Sequence, residues 1–127
     1  MSLENVIFGF FIILALTLNL VFVVGEVDNP EHHHVVVFFL VVFVNIIVTG
    51  LKLGDRSQIG ALLLATSLVA DIELIAAAFV WTFAVHVSGT GLDPSTTVVI
   101  VSLALGALLA NLISVTIVVA ETLMLRR

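Results

Sequence analysis

Two carboxylic acids lie near the middle of a long apolar segment, where Asp71 and Glu73 stand among leucine, isoleucine and alanine residues. A charged side chain at the centre of a bilayer costs from about 2.5 kcal/mol upwards. Acids at that depth are therefore candidates for binding a proton or a cation, whereas a neutral, hydrogen-bonded carboxyl group would be purely structural. On a helix the two side chains point about 200° apart, so we expect them to face two different packed surfaces.

Each of the other three apolar segments carries one asparagine. Carboxamides hydrogen-bond across membrane helices, which is a structural role. In a functional role, their oxygen atoms and Asp71 would coordinate or relay a monovalent cation or a proton. No basic residue is expected at the depth of Asp71 to neutralise it. The candidates for an ion path or an intramembrane polar network are Asp71, Glu73, Asn19, Asn45, Asn111, Ser67 and Thr82.

Small residues follow both faces of the segment that carries the two acids, a pattern that lets helices approach closely. The Asp71 face has Gly60, Ser67, Ala78 and Thr82, and the Glu73 face has Thr66, Ala70, Ala77 and Ala84. One face can pack on the rest of the chain. The other needs a second copy of the protein, a larger membrane transport protein or a water-filled path, so we expect the chain not to be a free monomer.

The four histidines are a further group, with His32, His33 and His34 in a run before the second span and His86 near the end of the third span. Successive helical residues diverge by about 100°, so the three adjacent histidines cannot all bind one ion without unwinding. A metal site would need one or two of them together with ligands from other segments. Three interpretations stay open: a divalent metal site, a pH-sensitive outer face, and ordinary polar residues of the membrane interface.

The composition indicates a membrane protein, because 61% of the 127 residues are hydrophobic and 10% are charged. A soluble fold could not cover that much apolar surface. Four apolar stretches fit spans of about 20 residues or more, at about 6–24, 34–51, 59–87 and 95–125. The remainder is too short for a catalytic or nucleic-acid-binding domain, so we expect one transmembrane domain over residues 1–127 in the lipid bilayer, without a nucleic-acid partner.

Short polar connections separate the four spans, which enforces an up-down-up-down bundle. The valine-rich stretch 35–44 lacks the alternation of a barrel strand, so the predicted fold class is all-α, an integral membrane four-helix bundle. Asp93 and Pro94 fit the N-cap and the first position of the last helix. Phe38, Phe39 and Phe43 of the second span are bulky enough to face lipid.

The basic residues predict the orientation. All four lie in the second connection or at the C-terminus: Lys52, Arg56, Arg126 and Arg127. The second and fourth spans end at these two regions, which therefore lie on the same side of the membrane. The positive-inside rule makes that side cytoplasmic. We therefore expect both termini in the cytoplasm and the histidines at or near the outer face.

Three stretches carry a resemblance to known proteins, FGFFIILALTLN at 8–19, DNPEHH at 28–33 and LGDRSQIGA at 53–61. In them the chain resembles a family of small, uncharacterised four-span bacterial inner-membrane proteins. The resemblance extends over most of the chain. It implies a multi-pass protein of the bacterial inner membrane, and it implies no activity, cofactor or catalytic residue.

Motifs of the common enzyme classes are missing from the sequence, including phosphate-binding loops, dinucleotide fingerprints, nucleophile elbows and metalloprotease motifs. We therefore expect no enzyme activity, no catalytic residues and no cofactor. The leading hypothesis is a subunit of a cation- or proton-conducting membrane assembly, a homo-oligomer or a complex with a larger transporter, with a polar path at Asp71. The alternative is a nonconducting accessory subunit that binds and regulates a larger transporter or channel.

Overall fold

The computed structural model describes residues 2–54 and 57–125, with only the backbone of Leu125. Four helices make up the fold: α1 (Leu3–Val23), α2 (Val35–Lys52), α3 (Gln58–Thr82) and α4 (Pro94–Leu125). A 3₁₀ turn at Pro30–His32 precedes α2, and a π-helical segment at Phe83–Val87 continues α3. The described residues contain no strand, which confirms the predicted all-α fold class.

Side-chain caps define where three of the helices begin. Ser2 Oγ accepts a hydrogen bond from the Asn5 N–H, and Ser57 Oγ accepts one from the Gly60 N–H. Asp93 Oδ1 accepts from the Thr96 N–H at 2.7 Å, which confirms Asp93 as the N-cap of α4. This backbone hydrogen bond stabilises the ionised carboxylate and lowers the pKa of Asp93.

The helices pack in a ring in which each contacts two neighbours, α1 on α2 and α4, and α3 on α2 and α4. The α3–α4 contact is the most extensive. Small side chains make it possible, because alanines without exposed surface let the two backbones approach closely: Ala70, Ala77, Ala104 and Ala107.

The bundle has a Lys52 end and a His33 end. The Lys52 end holds the starts of α1 and α3 and the ends of α2 and α4, and the His33 end holds the other two connections. All four helices are long and apolar enough to cross a membrane, counting the π-helical segment as part of the third span. Three of the basic residues on which the orientation rests lie outside the described residues: Arg56, Arg126 and Arg127.

Aromatic residues pack together near the His33 end. Phe38 is 1% exposed, and its ring centroid lies 5.1 Å from that of Phe22 and 5.2 Å from that of Trp81. The expectation that Phe38 faces lipid was therefore wrong, because Phe38 shares the inward face of α2 with Val41. Phe39 and Phe43 are exposed on the outer surface.

Candidate functional site

Lys52 is the main departure from the sequence-based expectation. It is the last residue of α2 and is 2% exposed, although the sequence had suggested a connection outside the bilayer. Its Nζ donates to Ser114 Oγ of α4 at 2.7 Å and to Thr66 Oγ1 of α3 at 3.4 Å. The long aliphatic stem lets the ammonium reach from the helix end into the bundle interior.

Asp71 faces α2 from the neighbouring helix. Its Oδ2 accepts a hydrogen bond from Thr49 Oγ1, and the Lys52 ammonium attracts the carboxylate electrostatically. The expectation that no basic residue would neutralise Asp71 was thus wrong. The other carboxylate oxygen, Oδ1, is buried and has no hydrogen-bond partner in the described part of the chain, and the same holds for Ser67 Oγ one turn earlier on α3.

The Thr49 hydroxyl carries one proton but faces two acceptors. It lies 3.0 Å from the carbonyl oxygen of Asn45 and also contacts Asp71 Oδ2. If Asp71 is ionised, Thr49 donates to the carboxylate and the Asn45 carbonyl loses this donor. If Asp71 is protonated at Oδ2, the carboxyl donates to Thr49 and Thr49 donates to Asn45. The arrangement can therefore accommodate both protonation states of Asp71 by rotation of one hydroxyl group.

The three asparagines do not converge on Asp71. Asn19 is buried against α4, where its correctly oriented amide donates to the Ala104 carbonyl at 3.0 Å and accepts from the Leu108 N–H at 3.1 Å. Asn19 Oδ1 also accepts a hydrogen bond from Asn111 Nδ2 at 3.3 Å. Asn45 Nδ2 donates to the Val41 carbonyl of its own helix at 2.7 Å. The asparagine side chains therefore join helices or stabilise their own backbone, and only the backbone carbonyl of Asn45 contacts the Asp71 group, at Thr49.

The remaining two candidates of the predicted network lie elsewhere. The Glu73 carboxylate rests directly against Gly106 of α4, and both residues are partly exposed at the edge of the α3–α4 contact. Asp71 and Glu73 thus contact different neighbours, as the 200° separation led us to expect. Thr82 is exposed and lines an apolar groove near the His33 end, so it does not join the Asp71 group.

A cleft leads from the Lys52 end towards this group. Its volume is about 930 Å³, and it is lined by residues of all four helices that include Glu4, Lys52, Gly60 and Glu121. Beyond Asp71, in the direction of the His33 end, the interior is closed by buried apolar side chains: Val41, Leu74 and Ile100. Within one chain, the Asp71 group therefore borders this cleft at Lys52 and apolar packing on the other side, while Asp71 itself is partly exposed.

The histidines at the other end form hydrogen bonds with the α1–α2 connection. His33 is 3% exposed, and its Nδ1 and Nε2 lie 2.6 and 2.8 Å from the carbonyl oxygens of Phe22 and Glu26. His32 Nδ1 accepts from the Glu26 N–H at 2.8 Å. Among the described residues no group of three or more histidine, aspartate or glutamate side chains is placed to hold a metal. His34 and His86 are both exposed.

We expect Gly25→Ala to destabilise this connection by about 1–2 kcal/mol. Gly25 has φ of +108°, and an added Cβ would lie 2.6 Å from His32 Nδ1, so both the backbone and the ring would have to move. Gly89→Ala is the control, because Gly89 also has a positive φ but nothing lies near its added Cβ. The free energy of unfolding in mixed micelles and the histidine NMR shifts measure the difference. If Gly25→Ala and Gly89→Ala lower the free energy of unfolding equally, and the His32 signals are unchanged, the predicted steric clash with His32 is contradicted.

Sequence reasoning missed four members of the Asp71 group: Thr49, Lys52, Thr66 and Ser114. A signal was present on α2, because Asn45, Thr49 and Lys52 are spaced four and three residues apart and so share one helical face. That spacing could have placed Lys52 on the inward face. Nothing comparable in the sequence indicates which hydroxyls of α3 and α4 meet the ammonium.

No curated protein and no solved structure matches the chain. A family model described as a family of unknown function, DUF6394, matches residues 32–122. This match includes α2 and α3, nearly all of α4 and every residue of the Asp71 group, and the chain therefore belongs to the DUF6394 family.

Proposed function

We propose that this protein is a subunit of a proton-conducting assembly in the bacterial inner membrane, with Asp71 as its proton-binding group. One observation carries the proposal. Asp71 Oδ1 is buried without a hydrogen-bond partner among the described residues, while Oδ2 contacts a hydroxyl that can switch between donating and accepting. A carboxyl group in such surroundings can take up and release a proton with little rearrangement.

The ligands around Asp71 favour a proton over a metal cation. A metal cation needs several oxygen ligands, and the side chains of Asn19, Asn45 and Asn111 do not converge on Asp71 to supply them. The Lys52 ammonium opposes the approach of either positive species, but a proton needs only a carboxylate oxygen and the Thr49 hydroxyl as partners. The charge of Lys52 also balances Asp71 when the proton has left, so neither state leaves an isolated carboxylate in the interior.

The cleft defines the direction from which protons arrive. Glu4 and Glu121 line it together with Lys52, which also interacts electrostatically with Asp71. By the positive-inside rule this is the cytoplasmic side. Since apolar side chains close the interior beyond Asp71, transfer to the other side requires either a conformational change or a second protein surface. This is why we propose a subunit of an assembly rather than a complete channel.

Proton flux into proteoliposomes of the purified protein tests the proposal. We expect the wild-type protein, reconstituted as a homo-oligomer, to conduct under an imposed pH gradient and Asp71→Asn to reduce the flux by about 100-fold or more, the scale of a lost proton-transfer group. Asp71→Glu should retain part of the flux. Thr116→Val is the matched control, since it changes an exposed intramembrane residue far from Asp71. Wild-type flux in Asp71→Asn would refute the role of Asp71.

The apolar packing beyond Asp71 also favours a second candidate, a nonconducting accessory subunit of a larger membrane transport protein. In that case the purified protein would be silent in the flux assay. It would instead copurify from native membranes with an unrelated membrane subunit, and Asp71→Asn would weaken that association. Flux from the purified protein alone would exclude this candidate.

A further inference from the structure

The carboxyl group of Glu73 has no hydrogen-bond donor within the described part of one chain. It lies midway along the 30-residue span Gln58–Val87, at the depth of the hydrocarbon core. Its carboxylate rests on Gly106 at the outer edge of the α3–α4 contact and is partly exposed. No described residue donates a hydrogen bond to it. The Lys52 ammonium is directed into the interior, towards Ser114 and Asp71, and not towards this edge.

Lipid acyl chains cannot supply hydrogen-bond partners for the Glu73 carboxyl group. Acyl chains offer no donor or acceptor, so a carboxyl group that faces them loses its hydrogen bonds whether it is neutral or ionised. The surface beside it is suited to close helix contact, since Gly106 and the exposed Ser102 are small and lie four residues apart on α4.

We propose that Glu73 is the centre of a homodimer interface in which two copies join along their α3–α4 edges. Membrane proteins of one orientation pair about a two-fold axis parallel to the membrane normal, so residues near the axis meet their own copies at equal depth. The two Glu73 carboxyl groups then meet each other and share at least one proton between them, which satisfies both with hydrogen bonds.

A second copy fits this surface better than an unrelated subunit, because its groups lie at the same depth in the membrane. It necessarily brings a hydrogen-bonding group to the level of Glu73, namely its own carboxyl group, together with the same small residues at Ser102 and Gly106. The contact is also independent of the proton site, because Asp71 faces α2 on the other side of α3.

Cysteine cross-linking in native membranes locates the interface. The chain contains no cysteine, so single substitutions report directly. We expect Ser102→Cys to form a disulfide-linked dimer on mild oxidation, and Phe39→Cys, which is also exposed but lies on helix α2 across the ring, to remain monomeric. Cross-linking of Phe39→Cys that equals or exceeds that of Ser102→Cys would overturn the proposed surface.

Fluorescence energy transfer between labelled copies, diluted stepwise in liposomes, tests the part played by the carboxyl group. Glu73→Gln keeps a group that can pair with its own copy, so the dimer should persist. Glu73→Leu should weaken association by about ten-fold, the scale of an intramembrane hydrogen bond. Association of Glu73→Leu as strong as that of wild type would overturn the proposal. Asp71→Asn should dimerise normally even if its flux is lost, which separates a failure of this inference from a failure of the proton site.

Discussion

Lys52→Met is expected to lower the free energy of unfolding by about 3 kcal/mol, because it removes the charge that compensates Asp71 inside the bundle. Methionine has a similar length and an apolar stem, so packing changes little. The substitution also removes the 2.7 Å hydrogen bond to Ser114 Oγ and leaves that hydroxyl without its donor in a buried position. Loss of the charge that attracts Asp71, whose Oδ1 is buried without a partner among the described residues, is the larger of the two losses.

A double-mutant cycle separates these contributions. In an Asp71→Asn background, Lys52→Met should cost about 1 kcal/mol or less, since only the hydrogen bond to Ser114 and the weak one to Thr66 remain to be lost. The coupling energy should therefore be about 2 kcal/mol. Unfolding in mixed micelles of increasing SDS content measures all four proteins. Thr66→Val, which removes the 3.4 Å contact with Nζ and the bond from the Thr66 hydroxyl to the Leu63 carbonyl but leaves both charges in place, is the control for loss of a neighbour. Equal costs of Lys52→Met in both backgrounds would show that the two charges do not interact.

The features that could be predicted from the sequence are those determined by local patterns. Four apolar stretches separated by polar turns predict four membrane helices. The Asp93-Pro94 pair predicts the start of α4, since both residues act on the backbone within one turn. The opposite directions of Asp71 and Glu73 follow from helix geometry alone, and α3 does pack on α2 by one face and on α4 by the other.

The composition of the site could not be predicted, because it depends on how the helices rotate against each other. Asn19 and Asn111 meet where α1 packs on α4, whereas Asp71 faces α2. Lys52 has the residue type and position of a loop cation, and only the open cleft between the helix ends lets its side chain turn inwards. An average hydropathy for each segment contains no information on these rotations.

The adjacent residues Phe38 and Phe39 give a comparison of burial at almost constant depth. We expect Phe38→Ala to destabilise the protein by about 3 kcal/mol and Phe39→Ala by less than about 0.5 kcal/mol. Phe38 is 1% exposed and packs on Phe22 and Trp81, whereas Phe39 is 63% exposed on the outer surface. Removing the Phe38 ring leaves a cavity between three helices, and removing the Phe39 ring leaves a space that lipid can fill.

The bilayer makes this comparison a test of packing rather than of hydrophobicity. Lipid is as apolar as the protein interior, so a phenylalanine gains little from leaving lipid for the core, and the expected cost comes from lost van der Waals contacts. Phe38→Leu should therefore recover about half of the loss, since leucine refills part of the cavity. The same SDS titration measures each variant, with helix content followed by circular dichroism. A cost for Phe39→Ala as large as that for Phe38→Ala would mean that the outer surface of α2 is also packed, and would move the protein interface away from the α3–α4 edge.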